Sequence, residues 1–443
     1  MKSQFVSRRE RIFEKLRSAV LIVPGAKVAV RNSDVDHDYR QSSDLQYVSG
    51  FVEPHSVAVL KGGTEPKFYL FVQKRDPERE IWDGRRAGLE GACTEFGADV
   101  SLEIGELETK LVELLENTER IYCRLGVDPD FDQTVLRVLT RVRQKERRGI
   151  GYPTEIVDCA VILHEMRLFK DRAEIETMEK AIEITRAGHA ALMAEAAPGK
   201  FEYELEAVLN QVFRQRGAER HAYSPIVGSG PNATILHYRE NNRRLADGDL
   251  VLVDAGSEYG YYASDITRTF PANGRFSAAQ RELYELVLRA QLAAIEASKP
   301  GASLGEIHDA AVNVIAAGLL ELGLLQGELP KIIEDKEYQA FFMHKTSHYL
   351  GMDVHDVGAY SVAGEARRIA PDMVITVEPG VYVAAEVGLV PEKYREIYAK
   401  VPERYRGIGI RIEDDVLITA EGCRVLSQAI PKTVEGIEQA CRG

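Results

Sequence analysis

One pattern occurs twice in this chain, and it limits the folds open to everything after about residue 170. A helix signal opens at Asp171, with Glu174 three residues on, the spacing of a capping box. Apolar residues follow at Ile175, Met178, Ile182 and Leu192, and the run stops at Pro198-Gly199. A second helix is predicted over residues 203–216, ending at Gly217. The pattern then returns. Ser277 and Gln280 have capping-box spacing, Leu283, Leu286, Val287 and Ala290 carry the apolar stripe, and Pro300-Gly301 stops it. Another helix starts at Ser303, with Glu306 three residues on, and runs to about Leu322. An Arg-Ala pair precedes each stop, at Arg186-Ala187 and Arg289-Ala290. We read this as an internal duplication with a pseudo-twofold relation between its halves.

Strands follow each helical pair. The first copy gives Leu250-Val-Leu-Val-Asp254, a turn near residues 258–260 and a return over residues 261–270. The second gives Met373-Val-Ile-Thr-Val-Glu378, an irregular insertion around residues 384–405 and a return over residues 408–418. Helices backing a curved antiparallel sheet make this part α+β.

Acidic residues stand where apolar strands end. A turn centred between Tyr259 and Gly260 places Asp254 across from Asp265, about 5 Å apart at Cβ. Facing carboxylates shielded from water repel, and one must hold a proton unless a cation lies between them. The second copy repeats the arrangement with Glu378 and Glu413. The two-residue strand period puts Arg411, Glu413 and Asp415 on one face, where Arg411 can orient the carboxylates. Asp414 suits an exposed face. Four carboxylates suit Mn²⁺, Co²⁺, Fe²⁺ or Mg²⁺, and an added imidazole favours a transition ion. His344, His348 and His355 cluster in an apolar, Gly-containing segment, in a chain with only 10 His. Two ions sharing carboxylates about 3.5–4 Å apart would clamp a water as hydroxide for hydrolysis, and the remaining His would polarise a carbonyl.

Residues 1–168 read as a separate mixed α/β domain, with residues 169–443 as the second. Strand-like runs fall at residues 19–23, 57–60, 68–72 and 121–127. Helical patterns fall at residues 8–17, 103–116 and 132–144. The net charge of −13 argues against nucleic acid or an anionic membrane as partner. The five cysteines are scattered and lack a C-x-x-C pair, which fits reduced thiols in a cytoplasm. No apolar segment reads as a signal peptide or a membrane span.

The motifs resemble those of the pita-bread metallopeptidases. They are Asp254-Ala-Gly, Ser264-Asp265-Ile-Thr-Arg-Thr-Phe, Ser347-His348-Tyr-Leu-Gly-Met-Asp-Val-His355-Asp, Val377-Glu378-Pro-Gly and Arg411-Ile-Glu413-Asp. In the N-terminal part, Arg31-Asn-Ser-Asp34, Tyr39-Arg-Gln, Gly50-Phe51 and Glu80-Ile-Trp82-Asp-Gly-Arg-Arg resemble the Xaa-Pro aminopeptidase (aminopeptidase P) family. The resemblance implies an N-terminal aminopeptidase P-type domain, a pita-bread catalytic domain and release of the residue that precedes a proline. It implies two manganese ions, bridged by Asp265 and Glu413. Asp254 completes one ion, and His348 and Glu378 complete the other. Glu378 would shuttle the proton and His355 would stabilise the tetrahedral intermediate. His237 and His344 would flank the proline ring, and Arg411 would support the metal site. Arg167, Tyr382, Trp82 and Asp34 correspond to residues near the substrate, Asp34 from a neighbouring subunit, so a homodimer or homotetramer is implied. One residue departs from the family pattern: in His344-Lys-Thr-Ser-His348, Lys345 stands where Gly is usual after the first His, and it adds a charge beside the pocket.

Four rivals share the fold. Prolidase, which cuts Xaa-Pro dipeptides, has the same five ligands; the motif around Trp82 favours the aminopeptidase. Methionine aminopeptidase lacks an N-terminal domain of this kind. Creatinase-like enzymes and metal-free peptide- or histone-binding modules lose ligands that all stand here.

Overall fold

The computed structural model describes residues 2–442 and divides into two compact units, Met1–Arg167 and Leu168–Gly443.

The N-terminal unit is built on a six-stranded sheet, in the order Val100–Glu103, Lys67–Val72, Val57–Lys61, Val20–Pro24, Arg120–Tyr122 and Glu155–Val157. Val20, Ile22, Val57, Val59 and Phe71 pack with Leu111 and Val138 of the helices Leu107–Leu114 and Pro129–Arg143. The helices Lys2–Leu16 and Ser43–Ser49 also pack on the strand Val57–Lys61. A strand covered in this way reads as a continuous apolar run, so the central strands stand out in the sequence. The outer strands Val100–Glu103 and Glu155–Val157 are only partly buried and leave no such run. The strand expected over residues 121–127 ends at Tyr122. Within this unit the Asp44 carboxylate accepts a bond from Arg167 Nη1 at 2.7 Å and lies 3.2 Å from His164 Nε2. Burial pushes Asp44 up, but His164 and Arg167 outweigh it and hold its carboxyl at about 2. Asp34 is exposed beside the short strands Val30–Asn32 and Val35–Asp36. The helix Pro77–Asp83 buries no residue, and Trp82 on it is 85 % exposed.

The C-terminal unit contains both predicted helix pairs, Arg172–Glu195 with Glu202–Gln215 and Ala278–Ala297 with Leu304–Glu321. All three expected capping boxes form, at Asp171/Glu174, Ser277/Gln280 and Ser303/Glu306. Each pair is followed by a three-stranded antiparallel sheet. The first is Ile226–Ser229, Leu250–Asp254 and Thr267–Pro271; the second is Val374–Val377, Asp414–Ile418 and Cys423–Val425. The halves meet where the Glu413 N–H donates to Thr267 O at 3.1 Å and the Thr269 hydroxyl donates to Arg411 O at 3.0 Å.

The first hairpin differs from the expected register. Asp254 pairs with Thr267, not Asp265. Tyr259 pairs with Tyr262 across a two-residue loop, and its residues Gly260 and Tyr261 both have positive φ, 58° and 70°. That conformation suits a tight hairpin turn. It centres the turn one residue later than expected, which moves every cross-strand partner by two. At Gly256 the return strand comes so close that a Cβ would lie 1.7 Å from Ser264 O, so no side chain fits there.

A buried ion pair fixes the segment between His348 and His355. Lys170 Nζ lies 3.0 Å from Asp356 Oδ2, and each side chain is 1 % exposed. A Cβ on Gly351 would meet that same Asp356 oxygen at 2.1 Å. Lys170→Met, which strands Asp356 without its cation, is expected to cost about 3–5 kcal/mol. Urea unfolding checks this, and a loss under about 1 kcal/mol would show that the pair does not anchor the segment.

Candidate metal centre

Strand ends and the turns beside them place the candidate donors at one cavity of about 410 Å³, lined by Asp254, Asp265, His348, Glu378 and Glu413 together with His237, His344, His355 and Arg411. Single donor atoms of Asp265, His348 and Glu413 all lie within 4.8 Å of one another. His348 Nε2 is 3.3 Å from Asp265 Oδ2 and 3.6 Å from Glu378 Oε1. The His348 Nδ1–H donates to the Tyr349 carbonyl at 2.9 Å, which fixes the tautomer and turns the Nε2 lone pair toward the carboxylates. Asp254 and Asp265 still meet despite the shifted register, because Tyr223 Oη contacts both, at 2.5 and 2.6 Å. One hydroxyl proton cannot serve two ionised carboxylates. The donor set therefore lacks positive charge, and divalent cations fit it.

Behind the carboxylates runs a chain of hydrogen bonds. Arg411 donates from Nη2 to Asp254 Oδ2 at 2.6 Å, from Nε to the Thr267 hydroxyl at 3.1 Å and from Nη1 to the Tyr382 hydroxyl at 2.8 Å. Thr267 donates in turn to Glu413 Oε2 at 2.6 Å. Tyr382 donates to His344 Nε2 at 2.9 Å, and the His344 Nδ1–H donates to Lys345 O at 2.8 Å. Burial, then the Arg411 charge, hold His344 down at about 3, so it stays neutral. Burial and the His348 charge also lower His355, whose ring meets that of His348 edge-on at 4.4 Å.

Several of these residues gave no sequence signal. Tyr223 lies outside every motif. Thr267 stands in the same motif as Asp265, but nothing local marks it as the link between Arg411 and Glu413. Asp414 is a correction: it is fully buried, not exposed. Its carboxylate accepts bonds from Arg268, Lys432, Gln291 and Ser427, and the Arg268 and Lys432 charges hold it below the ordinary carboxylate range against its burial. Arg268 also donates to Glu413 O at 2.6 Å, so this network braces the backbone of a candidate donor.

Without cations the cluster keeps protons. Burial pushes Glu378 up to about 7. Burial and neighbouring carboxylates also raise Asp265 and Glu413. Burial pulls His348 down, but Asp265 and Glu378 outweigh it and hold His348 up at about 9. All of these groups bind protons more tightly folded than unfolded. The stability they contribute is complete below their ordinary values, 4.5 for Glu378 and 6.5 for His348, and is lost as pH rises through 7 and 9. Metal binding must release these protons, so the rise in Tm on adding Mn²⁺ to metal-stripped protein is expected to grow between about pH 6 and 9. Thermal melts across that range check it; a rise that shrinks with pH would contradict the reading.

Buried carboxylates that need divalent cations, beside further imidazoles lining the same cavity, define a protein equipped for metal-assisted hydrolysis. The chain belongs to metallopeptidase family M24, whose model matches residues 176–420; residues 5–122 match the aminopeptidase P N-terminal domain. It is similar to the Xaa-Pro aminopeptidase of Escherichia coli, with 41 % identity over 99 % of this chain and 97 % of the relative. It resembles the solved structure of aminopeptidase PepP from Pseudomonas aeruginosa, with a TM-score of 0.95, 46 % identity and coverage of 100 % and 98 %. It also resembles zinc-substituted E. coli aminopeptidase P in complex with product, with a TM-score of 0.94, 40 % identity and coverage of 100 % and 98 %. The fold is an aminopeptidase P N-terminal domain followed by a pita-bread catalytic domain.

Proposed function

We propose that this metallo-exopeptidase releases the N-terminal residue from peptides with proline second, with two divalent ions, preferably manganese, held by Asp254, Asp265, His348, Glu378 and Glu413. The observation that carries the reading is the convergence of four carboxylates and the fixed His348 Nε2 on one cavity. When bound, such ions supply a nucleophile from water near neutral pH and stabilise developing negative charge. Asp265 and Glu413, whose donor atoms lie within 4.8 Å of one another and of His348, would hold the ions together with Asp254 and Glu378. Glu378, which burial brings to about 7, is suited to take a proton from the attacking water and pass it to the departing proline nitrogen. His355 donates to the oxyanion. Neutral His344 and His237 flank the proline ring, and Arg411 and Tyr382 hold the carboxylates and His344 in place.

Asp34, Trp82 and Arg167 of the N-terminal unit are proposed substrate contacts. The bare Trp82 surface suits a second copy of the chain in a homodimer or homotetramer. The five free cysteines suit a reducing cytoplasm. Among the described residues no helix is long and apolar enough to cross a membrane.

The deciding assay compares an Xaa-Pro dipeptide with an Xaa-Pro-Xaa tripeptide on Mn²⁺-loaded protein. Faster release from the tripeptide is expected; turnover of the dipeptide alone would make the enzyme a prolidase.

A further inference from the structure

Two cations on the cavity wall have no part in the chemistry above. Lys345 and Arg239 both line the cavity that carries the candidate donors, and both are exposed. Among the described residues neither side chain is paired with a carboxylate. Glu240 accepts a bond from the Arg239 backbone N–H, not from its guanidinium. The cavity's third cation, Arg411, is 3 % exposed and committed to Asp254. The lining is therefore bipolar: it holds the carboxylates of the donor cluster and two cations not paired with a carboxylate.

Their positions relative to the imidazoles matter. Lys345 follows His344 and takes its Nδ1–H on the backbone carbonyl at 2.8 Å. Arg239 lies two residues beyond His237. Lys345 thus adjoins His344, and Arg239 lies near His237 along the chain, the two imidazoles assigned to the proline ring. One residue of extended peptide spans about 3.5 Å, so a group carried by the residue after proline comes within reach of a lysine or arginine side chain rooted there. The guanidinium fork matches a carboxylate, and the flexible ammonium tolerates a shifted one. A chain of net charge −13 repels anionic peptides at long range, so local cations are needed to hold one.

We propose that Lys345 and Arg239 recognise a carboxylate on the residue that follows proline, and so make the enzyme selective for anionic third residues. This inference rests on the proposed aminopeptidase function. The carboxylate has two possible sources, the free C-terminus of a tripeptide or an Asp or Glu side chain at the third position.

The test uses the full Mn²⁺-loaded chain and two substrate pairs. One pair is Xaa-Pro-Ala as free acid and as C-terminal amide. The other is Xaa-Pro-Asp-amide and Xaa-Pro-Asn-amide. The anionic member of at least one pair is expected to show about fivefold higher kcat/KM at low salt, the scale of an exposed ion pair. That ratio should shrink as ionic strength rises from about 0.01 to 0.15 M. A preference in the first pair alone identifies the C-terminal carboxylate, and one in the second pair alone identifies the acidic side chain; either supports the inference. In Lys345→Gln/Arg239→Gln, and partly in Lys345→Gln alone, the ratio should fall toward one through a higher KM for the anionic substrate. No preference in either pair, or a ratio undiminished in the double variant, overturns the inference. If none of the four peptides is cut, the aminopeptidase reading itself fails, and this inference with it.

Discussion

His348→Ala is expected to lower kcat by about a thousandfold or more while leaving the fold intact. The imidazole is the only nitrogen donor in the proposed set. Its Nε2 is aimed by the Nδ1–H bond to the Tyr349 carbonyl, so no neighbouring side chain can take over its place. Divalent ions at such a site contribute several kcal/mol of charge stabilisation, and tenfold in rate corresponds to about 1.4 kcal/mol. Packing should suffer little, because the ring stands in the cavity lining and Tyr349 beside it, not His348, fills the core. Activity, bound metal and circular dichroism are measured together. Near-normal turnover with metal retained would remove His348 from the set, and loss of the circular dichroism signal would reassign it to structure.

Glu378→Gln is expected to cost about 10²–10⁴-fold in kcat with a smaller change in KM. The amide keeps the shape of the side chain and an oxygen donor, but it can neither accept nor deliver a proton. Burial and the surrounding carboxylates outweigh the His348 and Arg411 charges and bring the Glu378 carboxyl to about 7, close to neutrality. The Glu378 N–H is tied to Thr346 O at 2.8 Å, so the backbone should not move on substitution. The pH profile separates two roles. If Glu378 moves the proton, the residual rate loses its acidic limb; a residual rate with the wild-type profile would leave Glu378 as a ligand only.

Much of this protein was legible one residue at a time. Capping pairs such as Asp171/Glu174 act over three residues, so the sequence alone places their helices. Strands covered by helices are apolar throughout, so Leu250–Asp254 and Val374–Val377 announce themselves together with the acidic residues at or beyond their ends. Burial is also why Arg411 and Glu413 stand out, one on each side of Ile412, which like Ile410 is 0 % exposed.

Other features depended on contacts that no local pattern encodes. The register of the first hairpin turned on whether the turn closes over Tyr259-Gly260 or Gly260-Tyr261, a choice made by backbone dihedrals and the crowding at Gly256. Asp414 reads as a surface charge because its partners Arg268, Gln291 and Lys432 come from distant segments. Tyr223 reaches Asp254 and Asp265 only after the sheet has folded. The sequence determined which residues carry the chemistry, since donor type and strand-end position are local properties. Tertiary structure decided how they face one another, because hydrogen bonds between remote strands set the distances and orientations that make separate carboxylates one site.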